Sequence, residues 1–155
     1  MLQAGHRTKI AILGASGCTG AELLRLLAGH DGVEIVALTA DRHAGKKVGA
    51  IVPHLAGRVL PDLVTIDAVD FSAVELVFCC LPHGTTQEVI AALPSHLRIV
   101  DLSADFRLAD VETCVAWYGH ADRAPALQCP SGDFASHLSR LSAVEKIRLN
   151  ALTLL

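Results

Sequence analysis

Short aliphatic runs alternate with stretches of helical periodicity along this chain. Residues 9–13 (KIAIL) read as a first strand, and residues 19–28 as a helix that puts Leu23, Leu24 and Leu27 on one face before Gly29 and the Asp31-Gly32 turn end it. Residues 33–39 (VEIVALT) form a second, β-branched strand, after which the periodicity dissolves through residue 61 into Gly, Lys, His and Pro, predicting mostly loop. Third and fourth strands are predicted at residues 63–66 and 75–80. The run Leu76-Val77-Phe78-Cys79-Cys80 is apolar on both faces, which suits the middle of a parallel sheet. Thr85 and Thr86 cap a helix that runs through Leu93 and is followed by Pro94, residues 99–101 make a fifth strand, and residues 110–117 a further helix. Phe134, Leu138, Leu141, Val144 and Ile147 recur at three- and four-residue spacing, predicting a terminal helix. Strands alternating with helices predict an α/β fold, a mostly parallel sheet with helices packed on it.

Composition narrows the class. The 155 residues are 52% apolar, 19% charged and 4% aromatic, an aliphatic core composition of about one domain, outside the range of disordered chains. Thirteen Lys+Arg against sixteen Asp+Glu leave a net charge of −3, which argues against nucleic acid as a partner. Apolar runs fall far short of the roughly 20 residues of a membrane span. Residues 1–9 lack the apolar stretch of a signal peptide, so a cytoplasmic location is expected. Cys18, Cys79, Cys80, Cys114 and Cys129 show no metal-ligand spacing with the eight histidines; no metal is expected, and most of the thiols read as small core hydrophobes.

The candidate chemistry lies directly after the first strand, where Gly14-Ala15-Ser16-Gly17-Cys18-Thr19-Gly20 runs into the first helix. A strand–GxxGxxG–helix unit uses one glycine for the sharp turn, one for close approach of a pyrophosphate, and one to seat the helix on the sheet. The helix N-terminus then offers free N–H groups and a partial positive charge to phosphate. This predicts a Rossmann-like, doubly wound, dinucleotide-binding fold. Which dinucleotide depends on the end of the second strand: an acidic residue there bonds the ribose 2′-OH of NAD, a cation takes the 2′-phosphate of NADP. Thr39-Ala40-Asp41-Arg42 offers both, but Arg42 is joined by His43, Lys46 and Lys47, so NADP is favoured.

These residues carry a resemblance. Residues 9–23 (KIAILGASGCTGAEL), 39–45 (TADRHAG), 78–88 (FCCLPHGTTQE) and 100–108 (VDLSADFRL), with Trp117-Tyr118-Gly119-His120 and Ala124-Pro125, resemble in order the N-terminal part of N-acetyl-gamma-glutamyl-phosphate reductase over about residues 7–128. The resemblance implies an NADPH-dependent oxidoreductase of arginine biosynthesis. Its reaction reduces the small-molecule substrate N-acetyl-glutamyl phosphate to the semialdehyde through a thioester on a cysteine. It also implies a homo-oligomer and the two-domain plan of the semialdehyde dehydrogenases, a Rossmann domain followed by a catalytic α+β domain.

By the same resemblance Gly14, Ser16, Gly17, Cys18, Thr19 and Gly20 carry the pyrophosphate, and Thr39 and Arg42 the adenosine end. Pro82, His83, Gly84 and Ser103 line the nicotinamide, while Asp105 and Arg107 stand on the substrate side. Position 18 is Cys where the family usually has Tyr. After Gln128 the match stops: Cys129-Pro130-Ser131-Gly132 differs in order from the family's Pro-Gly-Cys-Tyr-Pro-Thr nucleophile segment, and no acid/base histidine follows in that pattern. The expected organisation is therefore an NAD(P)-binding domain over residues 1–128 and a divergent, helical tail over 129–155. By the resemblance the family's catalytic domain is expected to be missing from these residues, and no catalytic residue is assigned. Such a chain is the cofactor half of the reductase, an NADP-binding module without turnover of its own, or a non-productive fragment.

Overall fold

The computed structural model describes residues 5–82 and 84–103, which lie in a compact unit ending at Ser103. The helices expected at 110–117 and 134–147, and the boundary expected at residue 128, lie outside the described residues.

Among the described residues five strands form one parallel sheet: β1 (Thr8–Leu13), β2 (Val33–Thr39), β3 (Leu63–Val64), β4 (Leu76–Cys79) and β5 (Arg98–Asp101), in the order β3-β2-β1-β4-β5. This is the order of a doubly wound sheet, whose chain direction across the sheet reverses between β1 and β4. Among the described residues three α-helices accompany it, α1 (Cys18–Leu27), α2 (Val48–Ile51) and α3 (Thr86–Ala92).

The two faces of β1 show why the sheet is central. Ile10 and Ile12 point into one apolar cluster, with Leu38, Phe78 and the α1 residues Leu23, Leu24 and Leu27; Ala11 and Leu13 point into another with Ala37, Val77 and Cys79, flanked by Val89, Ile90 and Leu93. All four inner β1 side chains are inaccessible to solvent. Burying these aliphatic side chains, at ~25 cal/mol per Å² of apolar surface, is what holds helices to both faces.

Most expected elements stand within a residue or two of their places. The differences have local causes. The third strand stops at Val64, because Ile66–Ala68 turn into a 3₁₀ helix and leave a short edge strand. The stretch expected as loop contains α2 and the 3₁₀ turns Asp41–His43 and Pro53–Leu55, where Val48, Val52 and Leu55 are buried under the α1 side of the sheet. Tertiary burial there overrides a weak local pattern. Thr85 does occupy the N-cap of α3, but its hydroxyl donates to the Pro82 carbonyl (2.7 Å) instead of capping the helix.

Candidate functional site

Because every strand runs the same way, the segments after β1, β2, β4 and β5 leave from one edge of the sheet. The segments after β1 and β4 are neighbours at the point where the order reverses, and the Cys80 N–H donates to the Leu13 carbonyl at 2.8 Å. Ligands of open α/β sheets bind outside such strand ends.

The glycine loop occupies this position. Gly14 has φ +79°, a left-handed conformation, and a Cβ on it would stand 2.5 Å from the Cys80 carbonyl oxygen. Gly20 lies in the first turn of α1, where a Cβ would meet the Gly14 oxygen and the Ala15 Cα at 2.4 and 2.8 Å. Two glycines thus allow strand, loop and helix to touch through backbone alone. The third, Gly17, is the N-cap of α1 and supplies no side-chain cap, and no acidic residue stands in the first turn. The first N–H groups of the helix, which have no intrahelical acceptor, are left open to an outside anion. Ser16 is half-buried; Gly17, Cys18 and Thr19 are exposed beside that opening. The loop is a cradle that side chains would fill.

At the end of β2, Arg42 is exposed within the Asp41–His43 turn, together with Asp41, Lys46 and Lys47. Lys46 is held by its backbone, whose carbonyl accepts from Leu63 N–H at 2.9 Å. His43 Nδ1 is shut off from solvent without a hydrogen-bond partner. Thr39 differs from its neighbours: it is only 1% exposed, and its hydroxyl accepts from the Gly14 N–H at 3.2 Å.

Past β4, Pro82 is exposed and accepts the Thr85 hydroxyl, and Gly84 turns the chain with φ +81°. Thr86 Oγ1, fully buried at the start of α3, has no partner. Past β5, Ser103 is buried and donates through N–H and Oγ to the two oxygens of Asp101, at 2.9 and 2.7 Å. Sequence reading picked Ser103 and passed over Asp101, although the Asp-x-Ser spacing is a turn signature. His83, Asp105 and Arg107 lie outside the described residues. Two clefts open elsewhere: one of about 360 Å³ beside Val36, Val64 and Val69, and one of about 470 Å³ beside Lys47, Leu55 and Arg58. Neither is lined by the glycine loop.

The thiols separate by environment. Burial, with the Asp101 carboxylate adding to it, pushes Cys80 up to about 12 and Cys79 higher still, whereas Cys18 is exposed at the start of α1. Cys79 is core, as its place in a central strand implies; Cys80 stands just past the strand, half-buried. Iodoacetamide at pH 8 is expected to label Cys18 about ten-fold faster than Cys79 or Cys80, since the thiolate is the nucleophile. Peptide mapping by mass spectrometry measures the order; earlier labelling of Cys79 would contradict it.

Comparisons with known proteins agree with this arrangement. Residues 9–137 match the family model described as semialdehyde dehydrogenase, NAD binding domain. A probable N-acetyl-gamma-glutamyl-phosphate reductase, chloroplastic, of Oryza sativa subsp. japonica is 57% identical over 127 residues, covering 82% of this chain and 31% of its own length. The N-acetyl-gamma-glutamyl-phosphate reductase of Jannaschia sp. is 62% identical over 120 residues, covering 77% of this chain and 35% of its own. The chain thus spans about a third of the length of the curated relatives it matches. Among solved structures, aspartate semialdehyde dehydrogenase with NADP from Candida albicans superposes with TM-score 0.55 at 25% identity, over 65% of this chain and 31% of that one. Sheet order, glycine cradle and family match together show a nicotinamide-dinucleotide fold, and the chain belongs to the family of semialdehyde dehydrogenase NAD-binding domains.

Proposed function

We propose that this chain is the cofactor-binding part of an N-acetyl-gamma-glutamyl-phosphate reductase and that it holds NADP(H). The observation that carries the reading is the 57–62% identity to reductases of that name across about four-fifths of the chain. The residues fit a dinucleotide: Gly14 and Gly20 leave a cradle that a Cβ would fill, and Gly17 leaves the start of α1 uncapped.

In this reading the N–H groups around Ser16, Gly17, Cys18, Thr19 and Gly20 bind the pyrophosphate, and the exposed Arg42 guanidinium pairs with the 2′-phosphate. Pro82, His83, Gly84 and Ser103 border the nicotinamide, while Asp105 and Arg107 face the substrate. When bound, the reduced cofactor would supply the hydride that takes the acyl carbon to the aldehyde, after a cysteine thiolate has displaced inorganic phosphate and formed the thioester that hydride transfer resolves. The part of this chain is to bind and orient, through backbone N–H groups and a planar cation, both of which suit phosphate oxygens.

Calorimetric titration tests the cofactor assignment. NADPH is expected to bind more tightly than NADH by about 1–2 kcal/mol, the scale of a charge-assisted hydrogen bond, and Arg42→Ala to remove that difference. Equal affinities in the unaltered chain would contradict NADP, and Asp41 beside Arg42 would then read as the ribose ligand of an NAD site.

A further inference from the structure

We infer that Thr39 is a positioning residue that sets the glycine loop for the pyrophosphate, acting through Gly14 and without touching the cofactor. The inference rests on the dinucleotide reading above. It starts from the way β1 and β2 part company. Their register ends at Ile12 opposite Leu38. Beyond it the Ala15 N–H donates to the Thr39 carbonyl at 2.8 Å, which leaves the Gly14 N–H without a strand acceptor, and the Thr39 hydroxyl takes it at 3.2 Å. Two successive amides at the root of the loop thus end on one residue.

The consequence runs down the loop. With its N–H held and φ at +79°, Gly14 turns its carbonyl inward, where it accepts the Gly17 N–H at 3.1 Å. The same oxygen lies where a Cβ on Gly20 would be, so the setting of Gly14 also sets how closely the first turn of α1 approaches. Thr39 is anchored in turn, because the next amide, Ala40 N–H, donates to the Val64 carbonyl at 3.0 Å. Three residues on stands Arg42. One side chain therefore links the strand end that bears the 2′-phosphate cation to the loop that meets the pyrophosphate.

The residue type is constrained at this place. Thr39 is 1% exposed, so its hydroxyl is part of the wall behind the loop. Valine has the same shape and no acceptor, and would leave the Gly14 amide unpaired. Serine keeps the acceptor and loses a methyl group. A ligand role and a positioning role then separate experimentally. The pyrophosphate is common to NADP(H) and NAD(H), so disturbing its loop weakens both alike, whereas loss of a 2′-phosphate contact weakens only one.

The test uses the full chain with Thr39→Val and Thr39→Ser, NADPH and NADH by calorimetry, and amide hydrogen exchange by NMR without nucleotide. Thr39→Val is expected to weaken both nucleotides by about the same factor, near ten-fold, the scale of one hydrogen bond, with the NADPH/NADH ratio unchanged. Gly14 exchange should quicken by about the same factor while Val77, in β4, keeps its rate. Thr39→Ser should restore affinity to within about two-fold. Unchanged affinity and unchanged Gly14 exchange in Thr39→Val would overturn the inference, as would an altered NADPH/NADH ratio or a serine variant no better than valine. If Thr39→Val does not fold, the native chain and Thr39→Ser decide: a native Gly14 amide exchanging as fast as that of the exposed turn glycine Gly57, or loss of affinity in Thr39→Ser, overturns it. Failure of the dinucleotide reading is distinct, since neither nucleotide would then bind the native chain, and Gly14 exchange still judges the Thr39 contact.

Discussion

Gly14→Ala is expected to cost about 3 kcal/mol or more, a large part of the ~5–15 kcal/mol that holds a domain folded. Two costs add. An L-residue in the left-handed region loses about 1–2 kcal/mol, and forcing a methyl group into a packed site typically costs 1–3 more. Both apply because φ is +79° and the new Cβ would stand 2.5 Å from the Cys80 carbonyl oxygen, in a backbone that cannot swing away without breaking the pairing of β1 with β4. Gly20→Ala separates the two: its helical backbone suits alanine, which recovers about 1 kcal/mol of propensity, but the methyl meets the Gly14 oxygen at 2.4 Å. The collision is expected to win, with a smaller net loss than at Gly14. Gly45→Ala isolates the other term, for φ is +81° there and nothing stands within 4 Å. It should lose only the conformational part. Urea denaturation of the three variants ranks them Gly14, then Gly20 and Gly45; a Gly14→Ala chain as stable as the native one would mean that the turn over Cys80 is wrongly described.

Leu24→Ala is expected to lose about 2–5 kcal/mol, the cost of emptying a buried leucine site that collapses only in part. Leu24 is wholly inaccessible in the middle of α1 and packs into the cluster of Ile10, Ile12, Leu38 and Phe78. Leu26, half-buried two residues on, serves as the comparison, and its alanine variant should lose clearly less. The effect on the cofactor is expected to differ in kind from that of the glycine variants. The root of the loop is held by backbone hydrogen bonds to Thr39 and from Cys80 N–H to Leu13, which a cavity under the middle of α1 leaves in place. Nucleotide affinity of the folded fraction should therefore stay within about three-fold, less than 1 kcal/mol, while the denaturation midpoint falls. A Leu24→Ala chain that keeps its midpoint would show that α1 is not seated on the sheet as described.

The glycine and leucine variants separate what is written in local sequence from what is not. Strand and helix periods depend on side-chain alternation every two or 3.6 residues, and that is a property of neighbours in the chain. For this reason β2 stands at Val33–Thr39, where its β-branched run places it, and Leu23, Leu24 and Leu27 face the core together. The glycine cradle was equally legible, since the left-handed turn at Gly14 between strand and helix favours glycine, and family likeness extended the reading to the strand ends.

What tertiary structure alone decided is which partner each group meets. The burial of Val48, Val52 and Leu55 gives helical turns to a stretch with no periodicity of its own, because the apolar cluster that takes them in is built from other elements, with Ile12, Leu24, Leu38 and Leu63 among its members. The Cys80 carbonyl that makes Gly14 indispensable is 66 residues away in the chain, and its nearness follows only from β4 lying beside β1. Thr39 reads as a polar ligand residue in the sequence, and only the fold brings its hydroxyl to accept from the Gly14 amide 25 residues before it. Chain order sets the conformations open to a residue; the parallel sheet order, which brings distant strand ends to one edge, sets what that residue can bind.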